Sequence, residues 1–368
     1  MKITVLQENL LTAVGIVQKA VPSKPSLPIL SSILIDTQSG EIRLSATDLY
    51  LGIQTGVEGT IDTPGVVAIP GKVFYETIAS LKPGKVTLEL VESTLTITSQ
   101  DSSTSFQCQS AEDFPSFPEV SGDTQELPST FLEEITSHVL FAASLDTTRP
   151  VLTSVLFEFN QENVNVVCTD GFRLAVWNMP SSFAFTQNFL IPAKSLQEVA
   201  RIGAQTKATQ VALTLSPELK QLLFQFESTK IFVRLMDGEF PPYQKIMPSS
   251  FTTEVLFDSQ EMTHHLKRAI IFARDASNIV HLSLSDGKAS ISATSPALGK
   301  HESEMMLDSF QGEGGKIAFN AKYLQDFLNA SKGEKIWLGM TESLKPALLR
   351  PEGQLGYSYV VMPFRVSN

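Results

Sequence analysis

Four side chains that carry chemistry crowd into the stretch "VCTDGFRLAV" (167–176): the Thr169 hydroxyl, the Asp170 carboxylate, the Phe172 ring and the Arg173 guanidinium. In an enzyme or small-ligand cleft, Asp170 and Arg173 would be the polar groups. General acid–base work needs a second titratable group close by, and no carboxylate or histidine stands at a telling spacing from Asp170. A second chemistry fits the same residues. Asp-Gly between two apolar runs is a hairpin-turn signal, and the aspartate then accepts hydrogen bonds from its own backbone. The chain repeats the pattern: Thr47-Asp48 lies 122 positions before Thr169-Asp170, and a third stretch carries Thr294-Ser295 instead. No carboxylate recurs in all three, so each is expected to be a turn.

Other catalytic signals are missing from the sequence. Of the five histidines, His264 and His265 are neighbours on a predicted helix, so they point to different faces and suit a metal poorly. Cys108 and Cys168 cannot build a disulfide framework or a four-cysteine zinc site, and both are expected as reduced core residues. No H-E-x-x-H helix, phosphate-cradling glycine loop, nucleophile elbow or dinucleotide fingerprint occurs. No metal, no cofactor and no catalytic residue are therefore expected.

The C-terminal "YVVMPFRV" suggests binding. Apolar residues continue almost to the end, where chains usually fray. A last strand accounts for Tyr359 to Val361. Beyond it, Met362, Pro363 and Phe364 suit the adaptable lining of a peptide groove, and Arg365 could hold a peptide carboxylate or carbonyl.

These groups sit in 368 residues with a net charge of −11, 42% hydrophobic and 18% charged, enough for two or three domains with real cores. Phosphate binding runs on Lys and Arg, so any role on nucleic acid must concentrate positive charge on one surface. Lys24, Lys72, Lys194, Lys267, Arg268 and Lys322 lie on or beside predicted helices. The start, "MKITVLQENLL", lacks the apolar core of a signal peptide, and no run approaches about 18 apolar residues. A cytoplasmic protein is expected.

Internal repeats organise the chain. "LPILSSILID" (27–36) is echoed by "RPVLTSVLFE" (149–158), and "VAIPGKVFYETI" (67–78) by "FLIPAKSLQEVA" (189–200), which makes Lys72 and Lys194 equivalent. The offset then becomes 126, aligning "EDFPSFPEV" (112–120) with "GEFPPYQKI" (238–246), as an insertion of four residues in one loop would produce. A weaker third copy runs from "ARDASNIVHLSLSDGKASISATSPALG" through "KIAFNAKYLQDFLNA" to the C-terminal strands. Three tandem domains are expected, at 1–124, 125–248 and 249–368, with the Pro- and Ser-rich "PEVSGDTQELPS" and "QKIMPSSFTTEV" as linkers. Each copy reads helix, strands, helix, strands, an α+β unit with two helices on antiparallel sheet. The first helix has Leu6, Leu10, Val14, Val17 and Val21 on one face, and the second has Phe74, Ile78 and Leu81. Thr130 with Glu133, and Asp258 with Glu261, have the spacing of a helix-capping box.

On these motifs ("KPSLPIL", "ATDL", "CTDGFRLAV", "DGEFPPYQKIMP" and "YVVMPFRV") and the threefold repeat, the whole chain resembles the bacterial sliding clamp family, the beta subunit of DNA polymerase III. The resemblance implies a non-enzymatic processivity factor. It would be a head-to-tail homodimer, a six-domain ring around duplex DNA with helices lining the hole, associated with the nucleoid during replication. Its partners would be the polymerase alpha subunit, clamp loader subunits, other polymerases and repair proteins, each inserting a short segment with a Gln and terminal Leu or Phe anchors. It implies a partner groove lined by Leu152, Thr169, Gly171, Phe172, Arg173, Leu174, Pro241, Lys245 and Ile246. The C-terminal Val360, Val361, Met362, Pro363, Phe364 and Arg365 supply the other wall, and Asn320, Tyr323 and Leu344 an extension. DNA would face Lys24, Lys72 and Lys194. Phe106 on the first domain would meet Ile271 and Phe272 on the third at the dimer contact. Phe172 stands where the best-known relatives have histidine, and Ser367 and Asn368 extend the chain past Val366.

Size is consistent with six domains. A domain of about 120 residues is roughly 35 Å across if its radius of gyration is near 14 Å. Three such spheres in a ring leave almost no hole, whereas six leave one of roughly 35 Å. Duplex DNA, on the order of 20 Å across, passes only the second. Binding would be weak, salt-sensitive and independent of base sequence.

Overall fold

The computed structural model describes residues 1–160, 162–180, 185, 187–331, 333–354 and 356–365. The chain divides into two compact units, one of residues 1–132 and 194–235, the other of 133–193 and 236–368.

The first unit holds two antiparallel sheets. One has the order β5 (Gly59–Thr63), β1 (Lys2–Leu6), β7 (Lys85–Val91), β8 (Thr94–Thr98), β9 (Ser103–Gln107). The other runs β10 (Asp123–Pro128), β15 (Gln210–Ser216), β16 (Gln221–Phe226), β17 (Thr229–Arg234), β4 (Leu51–Val57), β3 (Ile42–Thr47), β2 (Ser32–Asp36), β6 (Val66–Pro70). Helix α1 (Gln7–Val17) lies against β3 and β4, burying Leu10, Val14 and Val17, and α2 (Gly71–Ser80) beside it buries Phe74 and Ile78. The buried Gln7 amide donates to the Ile78 carbonyl at 2.8 Å and joins the two helices.

The second unit repeats the plan. Its larger sheet has the order β14 (Phe189–Pro192), β11 (Ser154–Phe159), β12 (Asn163–Thr169), β13 (Arg173–Pro180), β26 (Tyr357–Val361), β25 (Ala347–Pro351), β24 (Lys335–Met340), β18 (Thr253–Asp258), β22 (Ser309–Gly312). Its smaller sheet is β21 (Gly299–Met306), β20 (Lys288–Ser295), β19 (Ile279–Ser285), β23 (Gly315–Asn320). Helix α5 (Ser259–Ala273) packs on β20 and β21, next to α6 (Ala321–Ala330). Helices α3 (Thr130–His138) and α4 (Ala193–Thr206) carry the chain from one unit to the other.

Several expectations need correction. Each copy begins with a strand before its first helix. Leu6 closes β1 and is 47% exposed, so the buried face of α1 starts at Leu10. The expected linkers contain β10 and the start of β18. The first is an edge strand with no buried residue, so its sequence carries no apolar alternation to read. Thr130 is the first residue of α3 rather than its cap, whereas Asp258 caps α5 by accepting from the Glu261 amide at 2.7 Å. The extra residues behind the changed offset lie largely in helix: α4 has 14 residues where α2 has 10. Cys168 is core, but Cys108 is half-exposed.

Candidate functional site

The Thr-Asp turns are built alike. Between β12 and β13, the Thr169 hydroxyl donates to the Arg173 carbonyl at 2.6 Å and accepts from the Gly171 amide at 3.0 Å. Asp170 Oδ1 accepts from the Phe172 and Arg173 amides at 2.9 and 3.0 Å, and its Oδ2 from Arg173 Nε at 3.0 Å. Gly171 has φ +92°, which glycine adopts freely. In the first copy, Thr47 bonds the Leu51 carbonyl and the Leu49 amide, and Asp48 accepts from Tyr50 and Leu51. In the third, Ser295 Oγ takes the amides of Ala297 and Leu298 in the same pattern. Asp170 is thus a turn-forming side chain whose two oxygens take three donors from its own loop.

On the second turn stands a set of apolar side chains. β26 pairs with β13, with Val361 opposite Arg173 and Val360 opposite Leu174. The chain then runs on past the turn: the Met362 amide donates to the Phe172 carbonyl at 2.8 Å, and the Phe364 amide to the Ala318 carbonyl at 2.7 Å. Leu174 and Val360 are buried with Val167, Val176, Tyr243 and Leu348. Above this floor Phe172 is 57% exposed, Met362 37% and Phe364 42%, a cluster of large apolar side chains open to solvent.

A 3-10 turn, Tyr243–Ile246, carries exposed Lys245 and Ile246. It is anchored by Tyr243, whose phenol donates to Glu158 on β11 at 2.6 Å. Burial, and then this carboxylate, push the Tyr243 phenol above its usual range, so it stays a donor. Leu152 is buried on the turn before β11, Pro241 and Gly171 are exposed, and Pro363 is half-buried. Arg365 is exposed, and Leu344 is 57% exposed between β24 and β25. Asn320 caps α6 by accepting from the Lys322 amide at 3.0 Å. Val366, Ser367 and Asn368 lie outside the described residues.

Arg173 joins the turn to α6. Its Nη1 donates to Asp326 at 2.5 Å and its Nη2 to the Phe141 carbonyl at 2.7 Å, and its guanidinium lies 4.6 Å from the Tyr323 ring centre. Burial raises the Tyr323 phenol, and the Asp170 charge adds to it. Asp326, Phe141, Tyr243 and Glu158 have structural parts here that the sequence reading missed. The one available signal was the spacing of Tyr323 and Asp326, three apart on a predicted helix.

The remaining expected residues lie elsewhere. Lys72 and Lys194 are the second residues of α2 and α4, and both are exposed, as is Lys24. Ile271 is 53% exposed on α5, while Phe106 and Phe272 are half-buried, so none of the three is ordinary core. Phe272 stacks on His301 of β21 at 5.8 Å between ring centres. Among the described residues no cluster of three or more His, Cys, Asp or Glu is placed to hold a metal, and no helix is long and apolar enough to cross a membrane.

Three family models match in succession: the N-terminal domain of the DNA polymerase III beta subunit over residues 1–118, the central domain over 126–242 and the C-terminal domain over 244–365. A beta sliding clamp of Synechocystis sp. is 31% identical over 398 aligned residues, covering all of both chains. One of Staphylococcus aureus is 29% identical over 99% of each. The crystal structures of the sliding clamp of Bacillus subtilis and the beta subunit of Thermotoga maritima align over the full length of both chains, with TM-scores of 0.94 and 0.92 at 26% and 28% identity. With three clamp domains in order along its whole length, the chain belongs to the family of DNA polymerase III beta subunits, the bacterial sliding clamps.

Proposed function

We propose that two copies of this chain close head to tail into a ring around duplex DNA, and that the ring tethers DNA-processing proteins while catalysing nothing itself. Its three domains would span 1–124, 125–248 and 249–368. The observation that carries the ring is a pair of unfilled sheet edges. β17 pairs with β4 in the first unit and β26 with β13 in the second, at equivalent places in successive copies. The same plan would require a partner for β9 and another for β21, and both are edge strands. One unlike edge on each side is what a heterologous contact between copies needs. Continuing the register of the two existing pairings sets Phe106 opposite Gly299 of the partner subunit and Ser105 opposite Lys300 of the partner subunit.

Exposed Lys24, Lys72 and Lys194 supply the weak attraction that centres a duplex, while the overall charge of −11 disfavours tight binding outside. The groove between the Thr169–Leu174 turn and the Val360–Arg365 segment accepts an extended partner segment. Exposed Phe172, Met362 and Phe364 receive its apolar anchors, and Tyr323, Asn320 and Leu344 receive the part before them. Polymerase III alpha subunit, clamp loader subunits, other polymerases and repair proteins would share it, in the cytoplasm and on the nucleoid.

Retention on DNA tests the ring. Labelled protein is loaded onto nicked circles with a bacterial extract supplying loader and ATP, washed in high salt, and half the circles are cut once. Retention on circles with loss from linear molecules is expected. Equal retention on both, or none on circles despite a working loader control, would overturn encirclement.

A further inference from the structure

The Arg173 side chain is 11% exposed and its donors are engaged on three sides: Nε by Asp170, Nη1 by Asp326 and Nη2 by the Phe141 carbonyl. One flat face of the guanidinium covers the Tyr323 ring at 4.6 Å, and the Phe141 ring lies 5.5 Å away. A group held this way has little left to offer a ligand. What it does is connect. Asp170 belongs to the turn that forms one part of the proposed groove, and Tyr323 and Asp326 share a face of α6, which forms the other. The helix is fixed from below as well, since Tyr359 on β26 donates its phenol to the Tyr323 carbonyl at 3.0 Å. That bond holds the backbone of Tyr323. The guanidinium, steered by Asp326, lies against its ring.

We propose that Asp326 is a positioning residue of the partner groove: by drawing Arg173 onto the Tyr323 ring it sets the distance between the part of the groove that takes the terminal apolar anchors and the part that takes the residues before them. The ligand it serves is an extended peptide that engages both parts at once. A peptide reaching only the first part does not depend on it. This rests on the groove being a peptide site.

Two synthetic peptides separate the possibilities by fluorescence polarisation: a long one with a Gln followed by terminal Leu and Phe, and a short one with the terminal Leu and Phe alone. Asp326→Ala is expected to weaken the long peptide about tenfold, the scale of one charge-assisted hydrogen bond, and to leave the short one nearly unchanged. Asp326→Glu should restore most of the loss. Arg173→Lys, which cannot make the forked contact, should lose as much as Asp326→Ala, with no further loss in the double variant. If Asp326→Ala folds poorly, the near-isosteric Asp326→Asn is read by the same ratio of long to short affinity. An unchanged ratio overturns the inference, whether both affinities hold or both fall together. Binding of neither peptide to the unmodified chain would instead overturn the groove, and this inference with it.

Discussion

Tyr243 and Glu158 lie 85 positions apart in sequence and 2.6 Å apart in space. The same carboxylate accepts from Asn165 at 2.9 Å and Gln244 at 3.3 Å, and Asn178 supports Asn165 at 2.7 Å. The 3-10 turn bearing Lys245 and Ile246 is thereby pinned to the face of β11 to β13. Tyr243→Phe keeps the ring, as the first copy does with Phe117, and removes only the bond. A loss of about 1 kcal/mol in unfolding free energy is expected, with a small loss of peptide affinity. Chemical denaturation checks it, and an unchanged midpoint would mean the bond contributes nothing net.

Asp170→Asn tests the turn against catalysis. The asparagine keeps one acceptor oxygen for the Phe172 and Arg173 amides and loses the charge facing Arg173 Nε. A destabilisation of roughly 1–2 kcal/mol is expected, with clamp loading and peptide binding retained. Complete loss of function in a chain that melts normally would point to a chemical role for the carboxylate.

The exposed apolar rim is expected to dominate partner affinity. Met362→Ala with Phe364→Ala should weaken peptide binding at least tenfold and leave the melting temperature within about a degree or two, because both side chains are largely outside the core. Equal affinity in the double variant would place the anchors elsewhere.

The dimer register is tested by cross-linking. In a Cys108→Ser background, Ser105→Cys combined with Lys300→Cys should give a disulfide-linked dimer under mild oxidation, and either cysteine alone should not. A monomeric product from the double variant would contradict the pairing of β9 with β21.

His265 predicts a pH effect on stability. It is buried on α5, its Nδ1 2.8 Å from Ser303 Oγ on β21, with the Arg268 guanidinium 3.2 Å away. Burial first, then the charge of Arg268, hold its pKa below the usual histidine value, with His301 and His264 acting in the same sense and Glu261 opposing. The unfolded chain therefore takes up this proton at a higher pH than the folded one. The contribution is full above the unfolded value, about 6.5, and is lost as pH falls through the lower folded value. Thermal melts between pH 7.5 and 5 should show a steeper fall for the unmodified chain than for His265→Gln; parallel curves would remove His265 as the cause.

Much of this architecture is written in the sequence because it is written three times. The offset between Thr47-Asp48 and Thr169-Asp170 exposed the repeat, and the self-bonding of each turn follows from residue type alone. The apolar C-terminus, Val360 included, was readable as an unusual end, whereas Leu174 entered only through the family resemblance. β10 was not legible, since an edge strand with no buried residue has no alternating pattern. Arg173 was legible as a polar group but not as a brace. Its partners Asp326 and the Phe141 carbonyl come from distant segments, and one of them is backbone, which no residue type announces. The Tyr243 to Glu158 bond was hidden for the same reason, its two ends being brought together only by the sheet.

The Thr169 to Arg173 turn makes its own frame. Its shape rests on the hydroxyl of Thr169 and the carboxylate of Asp170, while Phe172 contributes backbone to the frame and leaves its ring in solvent. Replacing that ring changes the contour offered to a visitor at little expense in folding, since an exposed side chain outside such a frame costs about half a kcal/mol or less to replace. An inhibitor that gains its grip from Phe172 would therefore invite escape by substitution at one position. One that reads the backbone of the turn, framed by Thr169 and Asp170, would force any escape to break that frame.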